Sequence, residues 1–118
     1  MFFDTYAIIE IINGNEKYKK YIDFDIVITK LNLFELYYAT VRKYGENKAK
    51  EELSKNSAFA VDFDNCIIEN AAKLKFIFKK QNISMTDCIG YITANRLGIK
   101  FLTGDKQFEF LPDVEFVK

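Results

Sequence analysis

The stretch Met1-Phe-Phe-Asp-Thr-Tyr-Ala-Ile-Ile-Glu-Ile-Ile-Asn-Gly14, MFFDTYAIIEIING, decides the architecture because two patterns meet inside it. A short apolar start ends at Asp4-Thr5, and the apolar spacing that follows fits a short helix closed by Asn13-Gly14. A strand therefore runs into a helix, with a carboxylate at the junction.

The rest of the chain repeats that alternation. EKYKKYI (16–22) reads as a brief amphipathic helix, and the β-branched run Asp25–Thr29 as a second strand. Thr29 is placed to cap a helix in which Leu31, Phe34, Tyr38 and Val41 recur at helical spacing, with Gly45 as its stop. NKAKEELSK (47–55) continues as helix, Ala58–Val61 is a third short strand, and Asp64 stands at the N-cap of a long helix over 65–81. Ser84 to Asp87 opens another helix ended by Gly98. Lys100–Thr103 is a fourth strand, and Val114–Val117, after the only proline, is an edge strand. Short apolar strands separated by helices imply an α/β fold with a mainly parallel sheet of about five strands, covered on both faces.

Length and composition narrow the function classes. The 118 residues suit a single domain spanning 1–118, and 49% hydrophobic with 29% charged residues is ordinary globular usage. Net charge is zero, so capture of nucleic acid has to be local rather than electrostatic in bulk. No apolar run approaches a membrane span, and Asp4 sits where a signal peptide wants positive charge, so the expectation is a cytoplasmic chain with no membrane partner. Cys66 and Cys88, in apolar helical patterns without C-x-x-C spacing, read as buried free thiols. Histidine is absent, which removes Ser-His-Asp and Cys-His catalysis and the usual zinc sites. No phosphate-binding glycine loop of either familiar kind is present.

The chemistry must then run on carboxylates, lysines, hydroxyls or a hard metal. In an open α/β sheet, ligands bind outside the carboxyl ends of the parallel strands. Asp4 ends the first strand, Asp105 follows the fourth by two residues, Asp87 lies in the first turn of the preceding helix, and Glu35 shares a helical face with Leu31, Tyr38 and Ala39. Each has a structural reading as well: Asp4 as a helix cap, Asp105 as a turn former, Asp87 as the acidic slot after Ser84, and Glu35 as an ion pair with Arg42. Four carboxylates at one mouth repel one another, and a divalent cation resolves that conflict. Oxygen-only ligation suits Mg²⁺, or Mn²⁺, and the implied chemistry is metal-assisted phosphodiester hydrolysis.

These residues carry a family resemblance. FFDTYAII, NLFELYYA, SMTDCIGYITANRLG and FLTGDKQF resemble, in order, the motifs of the PIN domain, and the length is similar to small VapC-type toxins. The resemblance implies a three-layer α/β/α fold and a Mg²⁺- or Mn²⁺-dependent ribonuclease whose acidic quartet is Asp4, Glu35, Asp87 and Asp105. Asp4, Asp87 and Asp105 are then the principal metal ligands, with Glu35 completing the site directly or through water and Thr103 and Thr5 in support. It further implies an RNA substrate, an antitoxin partner and a homodimer, for which the surface near Tyr37, Tyr38 and Tyr44 is a candidate. Asp64 falls outside the quartet as a helix cap, with Asp62 a distant substitute. The chain departs from the pattern after Asp87, where small residues are expected and Gly90 and Tyr91 stand. Tyr91 reads as core or pocket wall. Lysines at 17, 19 and 20 and at 73, 75, 79 and 80 read as solvated faces, some of which would meet phosphate if RNA is bound.

Two other PIN-like readings stay open, a housekeeping RNA-processing nuclease and a catalytically silent interaction module. A haloacid-dehalogenase-like phosphatase with Asp4 as nucleophile needs a second Asp two residues on, where Tyr6 stands.

Overall fold

The computed structural model describes residues 1–118. Its elements run β1 (Phe2–Phe3), α1 (Thr5–Ile12), α2 (Lys30–Tyr44), α3 (Glu46–Asn56), α4 (Asn65–Ile77), α5 (Met85–Leu97), β2 (Phe101–Thr103) and β3 (Val114–Phe116). β1 pairs with β2 and β2 with β3, all parallel, with Phe2 opposite Phe101 and Phe3 opposite Leu102. No helix is long and apolar enough to cross a membrane.

The sheet has three strands, where five short runs were expected. The other two runs survive as single parallel bridges beyond β1, Phe2 to Val27 and Ile28 to Ala60. The Val61 N–H still donates to the Ile28 carbonyl at 2.8 Å. Helix ends cut both runs short. Thr29 turns into the cap of α2 directly after Ile28, and a 3₁₀ turn at Ser57–Phe59 continues α3 into the residues expected to extend.

Two cores follow from strand geometry, because successive side chains point to opposite faces. Phe2 and Phe101 pack with Ile67, Ala71, Ile89 and Ala94 of α4 and α5. Phe3 and Leu102 pack on the other side with Ala7, Ile8, Leu33 and Leu36 of α1 and α2. Helices cover both faces, giving the expected three-layer α/β/α arrangement.

Tyr91 belongs to the first core. Its ring meets Phe101 edge-on at 5.8 Å and its hydroxyl donates to the Pro112 carbonyl at 2.8 Å, so it faces away from the acid mouth. Phe108, fully buried, anchors the loop after β2 in the same core. EKYKKYI forms a 3₁₀ helix, not an α-helix: Tyr18 and Tyr21, three apart, share one face at three residues per turn. Their hydroxyls donate to the Val117 carbonyl at 2.5 Å and to Glu115 Oε2 at 2.6 Å, which ties β3 to this segment. The long helix over 65–81 stops at Ile77, followed by a 3₁₀ turn and Asn82 in the left-handed region at φ 53°. Both cysteines are free, but only Cys88 is buried; Cys66 lies on the exposed side of α4, beside Asn70.

Gly90 allows α5 to rest on the sheet. A Cβ there would stand 2.7 Å from the Phe2 ring and 3.1 Å from the Phe101 ring, both fully buried. We predict that Gly90→Ala lowers stability by about 1–3 kcal/mol, the usual cost of overpacking a closed core. Urea denaturation checks this, and a midpoint equal to wild type would show that α5 has room to move.

Candidate active site

Asp4 occupies the junction between β1 and α1 and is 2% exposed. Its backbone N–H extends the sheet by donating to the Leu102 carbonyl at 3.0 Å. Its side chain caps α1, with Oδ1 accepting from the Ala7 N–H at 2.8 Å. Oδ2 accepts from the Thr103 hydroxyl.

Thr103 is fully buried and also accepts the Asp105 backbone N–H at 3.0 Å. A hydroxyl has one hydrogen, and a backbone N–H can only donate, so the Thr103 proton goes to Asp4. This hydroxyl therefore joins the ends of β1 and β2. Asp105 in turn caps the following 3₁₀ turn, its Oδ1 accepting from the Gln107 N–H at 2.9 Å. Between them, Gly104 leaves room for Tyr6, whose ring would collide with a Cβ at that position.

Glu35 makes no ion pair with Arg42, which instead lies over the Tyr38 ring. The Thr5 hydroxyl donates to Glu35 Oε1 at 2.6 Å, linking the start of α1 to the second turn of α2. Asn32, 1% exposed, donates to the same hydroxyl through Nδ2 at 3.1 Å. Sequence reasoning missed Asn32. Its only signal is its place three residues after the Thr29 cap, where its Oδ1 accepts the Thr29 N–H at 3.0 Å.

Asp87 sits in the first turn of α5, half-buried, while Ser84 caps that helix by accepting the Asp87 N–H at 3.0 Å. Asp64 is exposed, caps α4 through the Ile67 N–H at 3.0 Å, as expected of a helix cap, and pairs with Arg96 at 3.2 Å.

The four acids feel one another. Burial, then the Asp87 charge, pushes the Asp4 carboxyl up to about 7 against hydrogen bonds from Thr103 and Ala7 that oppose the rise; Asp105 adds to it. Burial, then the Glu35 charge, pushes Asp87 up to about 6, and Asp105 adds again. No lysine or arginine forms an ion pair with any of them. No three of the acids form a ready-made metal cage. The donor chemistry, all oxygen with no histidine or thiolate, is that of a hard divalent cation that keeps several waters and takes one or two carboxylates directly.

The PIN domain family model matches residues 1–113. No curated protein matches the chain by sequence. Among solved structures, a toxin-antitoxin complex from Klebsiella pneumoniae shares 21% identity at a TM-score of 0.76, over 97% of this chain and 94% of that one. The DNA-bound VapBC of Salmonella typhimurium shares 16% identity at 0.72, over 98% and 95%. FitAcB from Neisseria gonorrhoeae shares 20% identity at 0.69, over 99% and 96%. At these identities the likeness carries the fold.

The electrostatics of the mouth give a pH dependence with a definite sign. Asp4 and Asp87 hold protons more tightly folded than at their ordinary 3.8, so the folded chain binds more protons across the interval between. Stability from these two groups is present below the ordinary value and is lost as pH rises through about 6 for Asp87 and about 7 for Asp4. We predict that the urea midpoint of the metal-free protein falls between about pH 5 and about pH 8, and that Asp4→Asn flattens the fall. A midpoint that rises over this range would contradict the burial of Asp4.

Proposed function

The chain belongs to the PIN domain family, and on that premise we propose that it is a metal-dependent endoribonuclease, the toxin of a VapBC-type module. The observation that carries the reading is the buried, proton-hungry Asp4 with Asp87 and Asp105 in electrostatic contact and no protein cation to neutralise them. Such a cluster is costly to the apo fold. A silent interaction module gains nothing from it.

Asp4, Asp87 and Asp105 would hold Mg²⁺ or Mn²⁺ between them, one or two directly and the rest through water, with Glu35 completing the site directly or through water. The bound ion supplies charge against the phosphodiester and lowers the pKa of the attacking water. Thr103 holds Asp4 against rotation and fixes the Asp105 loop by accepting the Asp105 backbone N–H at its hydroxyl. Glu35, held at Oε1 by the Thr5 hydroxyl, would keep its other oxygen for the site. Exposed lysines would meet RNA phosphates, so binding should weaken as salt rises.

That solved neighbours are a toxin-antitoxin complex and a VapBC complex supports an antitoxin partner. An apolar groove of about 430 Å³ along α4 and α5 suits one, lined by Leu31, Phe63, Ile68, Ala72, Met85 and Ile89. Phe34, one turn along α2 from Leu31, is 74% exposed. The exposed faces of Tyr38 and Tyr44 are the candidate homodimer surface, and the module would act in the cytoplasm.

Asp87 is the acid to replace, because its side chain caps no helix and Asp87→Asn keeps its size. With structured RNA and Mg²⁺ or Mn²⁺, wild type should cut, chelator should stop it, and Asp87→Asn should fall to roughly one per cent or less of wild-type rate. Equal cutting by both proteins, or cutting that survives chelation, would refute the reading.

A further inference from the structure

We infer that Asn32 is a positioning residue: its buried side chain fixes the direction of a hydrogen-bond relay that holds one oxygen of Glu35 and leaves the other for the site. This rests on the nuclease reading for its consequence in catalysis, though not for its geometry.

The relay has four members and one permitted direction. The Thr29 backbone N–H can only donate, so the atom of Asn32 that it meets at 3.0 Å is the amide oxygen. The Thr29 hydroxyl meets the same oxygen at 3.1 Å. The Asn32 nitrogen therefore points the other way, and it donates to the Thr5 hydroxyl at 3.1 Å. Having accepted from Asn32, the Thr5 oxygen has one hydrogen to give, and it gives it to Glu35 Oε1 at 2.6 Å. Each link is set by the one before it, starting from a backbone group that cannot reverse.

Glu35 needs such a hold. It lies inside α2, away from both caps, and forms no ion pair. Without Thr5 its three side-chain torsions are free to swing the carboxylate toward solvent, away from the like charge of Asp87. Thr5 is the residue after Asp4, so the same relay also fixes Glu35 relative to the most buried acid. Asn32 touches neither the mouth nor any substrate position; it acts through Thr5.

Asn32→Asp tests this with little change of shape. The acceptor for Thr29 remains, the donor to Thr5 is gone, and the Thr5 hydrogen is shared between two carboxylates. Measured with RNA at saturating Mn²⁺, Asn32→Asp should lower kcat about tenfold or more with KM within about twofold, the range expected when a supporting partner is lost. Thr5→Val should do the same. The double variant should be no worse than either alone, because both break one relay. Additive losses would overturn the inference, since a misfolding effect or a fifth negative charge acts in either background.

A second measurement reads the relay in the metal-free protein, without activity. The side-chain amide signals of Asn32 should shift in Thr5→Val and in Glu35→Ala. Those of Asn56, equally buried but bonded to Glu52, should stay in place. Asn32 signals that do not move would overturn the relay. Shifts in a wild-type protein that cuts no RNA would remove the nuclease reading and leave the hold on Glu35 established.

Discussion

A carboxylate taken out of water at the carboxyl end of β1 is the constraint on which this molecule is organised. Asp4 does three jobs with one residue: its N–H extends the sheet, Oδ1 caps α1, and Oδ2 takes the Thr103 hydroxyl. Burial opposes its charge, and Asp87 opposes it further. An ionised group in such a place is stabilised only by aimed donors or a counter-charge. The donors are present in the chain, and the counter-charge is what the site asks of its surroundings.

Hydroxyls with a single hydrogen carry much of the remaining order. Thr103 connects Asp4 to the Asp105 loop, and Thr5 connects the start of α1 to Glu35. Three of the four acids are thereby tied to one another through two buried threonines, and the fourth, Asp87, is held by the Ser84-capped start of α5. Capping and site building are the same act here. Asp4 and Asp105 each cap a helical segment, so a capping role does not by itself argue against the proposed site.

What was legible in the sequence is what local chemistry dictates. Asp4 after two phenylalanines, Asp105 after Phe-Leu-Thr-Gly and Gly98 after a periodic helix all stand where their local signals place them. The faces of the sheet were legible too, since Phe2 and Phe3 must point to opposite sides. Asn32 was hidden because its partner Thr5 is twenty-seven residues away and nothing local betrays the pairing. The runs at 25–29 and 58–61 read as strands by composition, yet Thr29 serves as the cap of α2 and a 3₁₀ turn takes Ala58 and Phe59, so each run keeps only bridge pairing. Cys66 lies in an apolar-looking segment but on its outer side, because α4 buries only a narrow stripe at Ile67 and Ala71.

The central claim is that Asp4, with Asp87 and Asp105, forms one cluster that exchanges protons for a divalent cation. Calorimetric titration of Mn²⁺ into the apo protein, repeated in buffers of different ionisation enthalpy, reads that exchange directly. With Asp4 at about 7 and Asp87 at about 6, binding near neutral pH should release protons to the buffer, and the release should vanish near pH 9, where both are already ionised. Binding with no proton release near neutral pH, or no binding at either pH, would contradict the account.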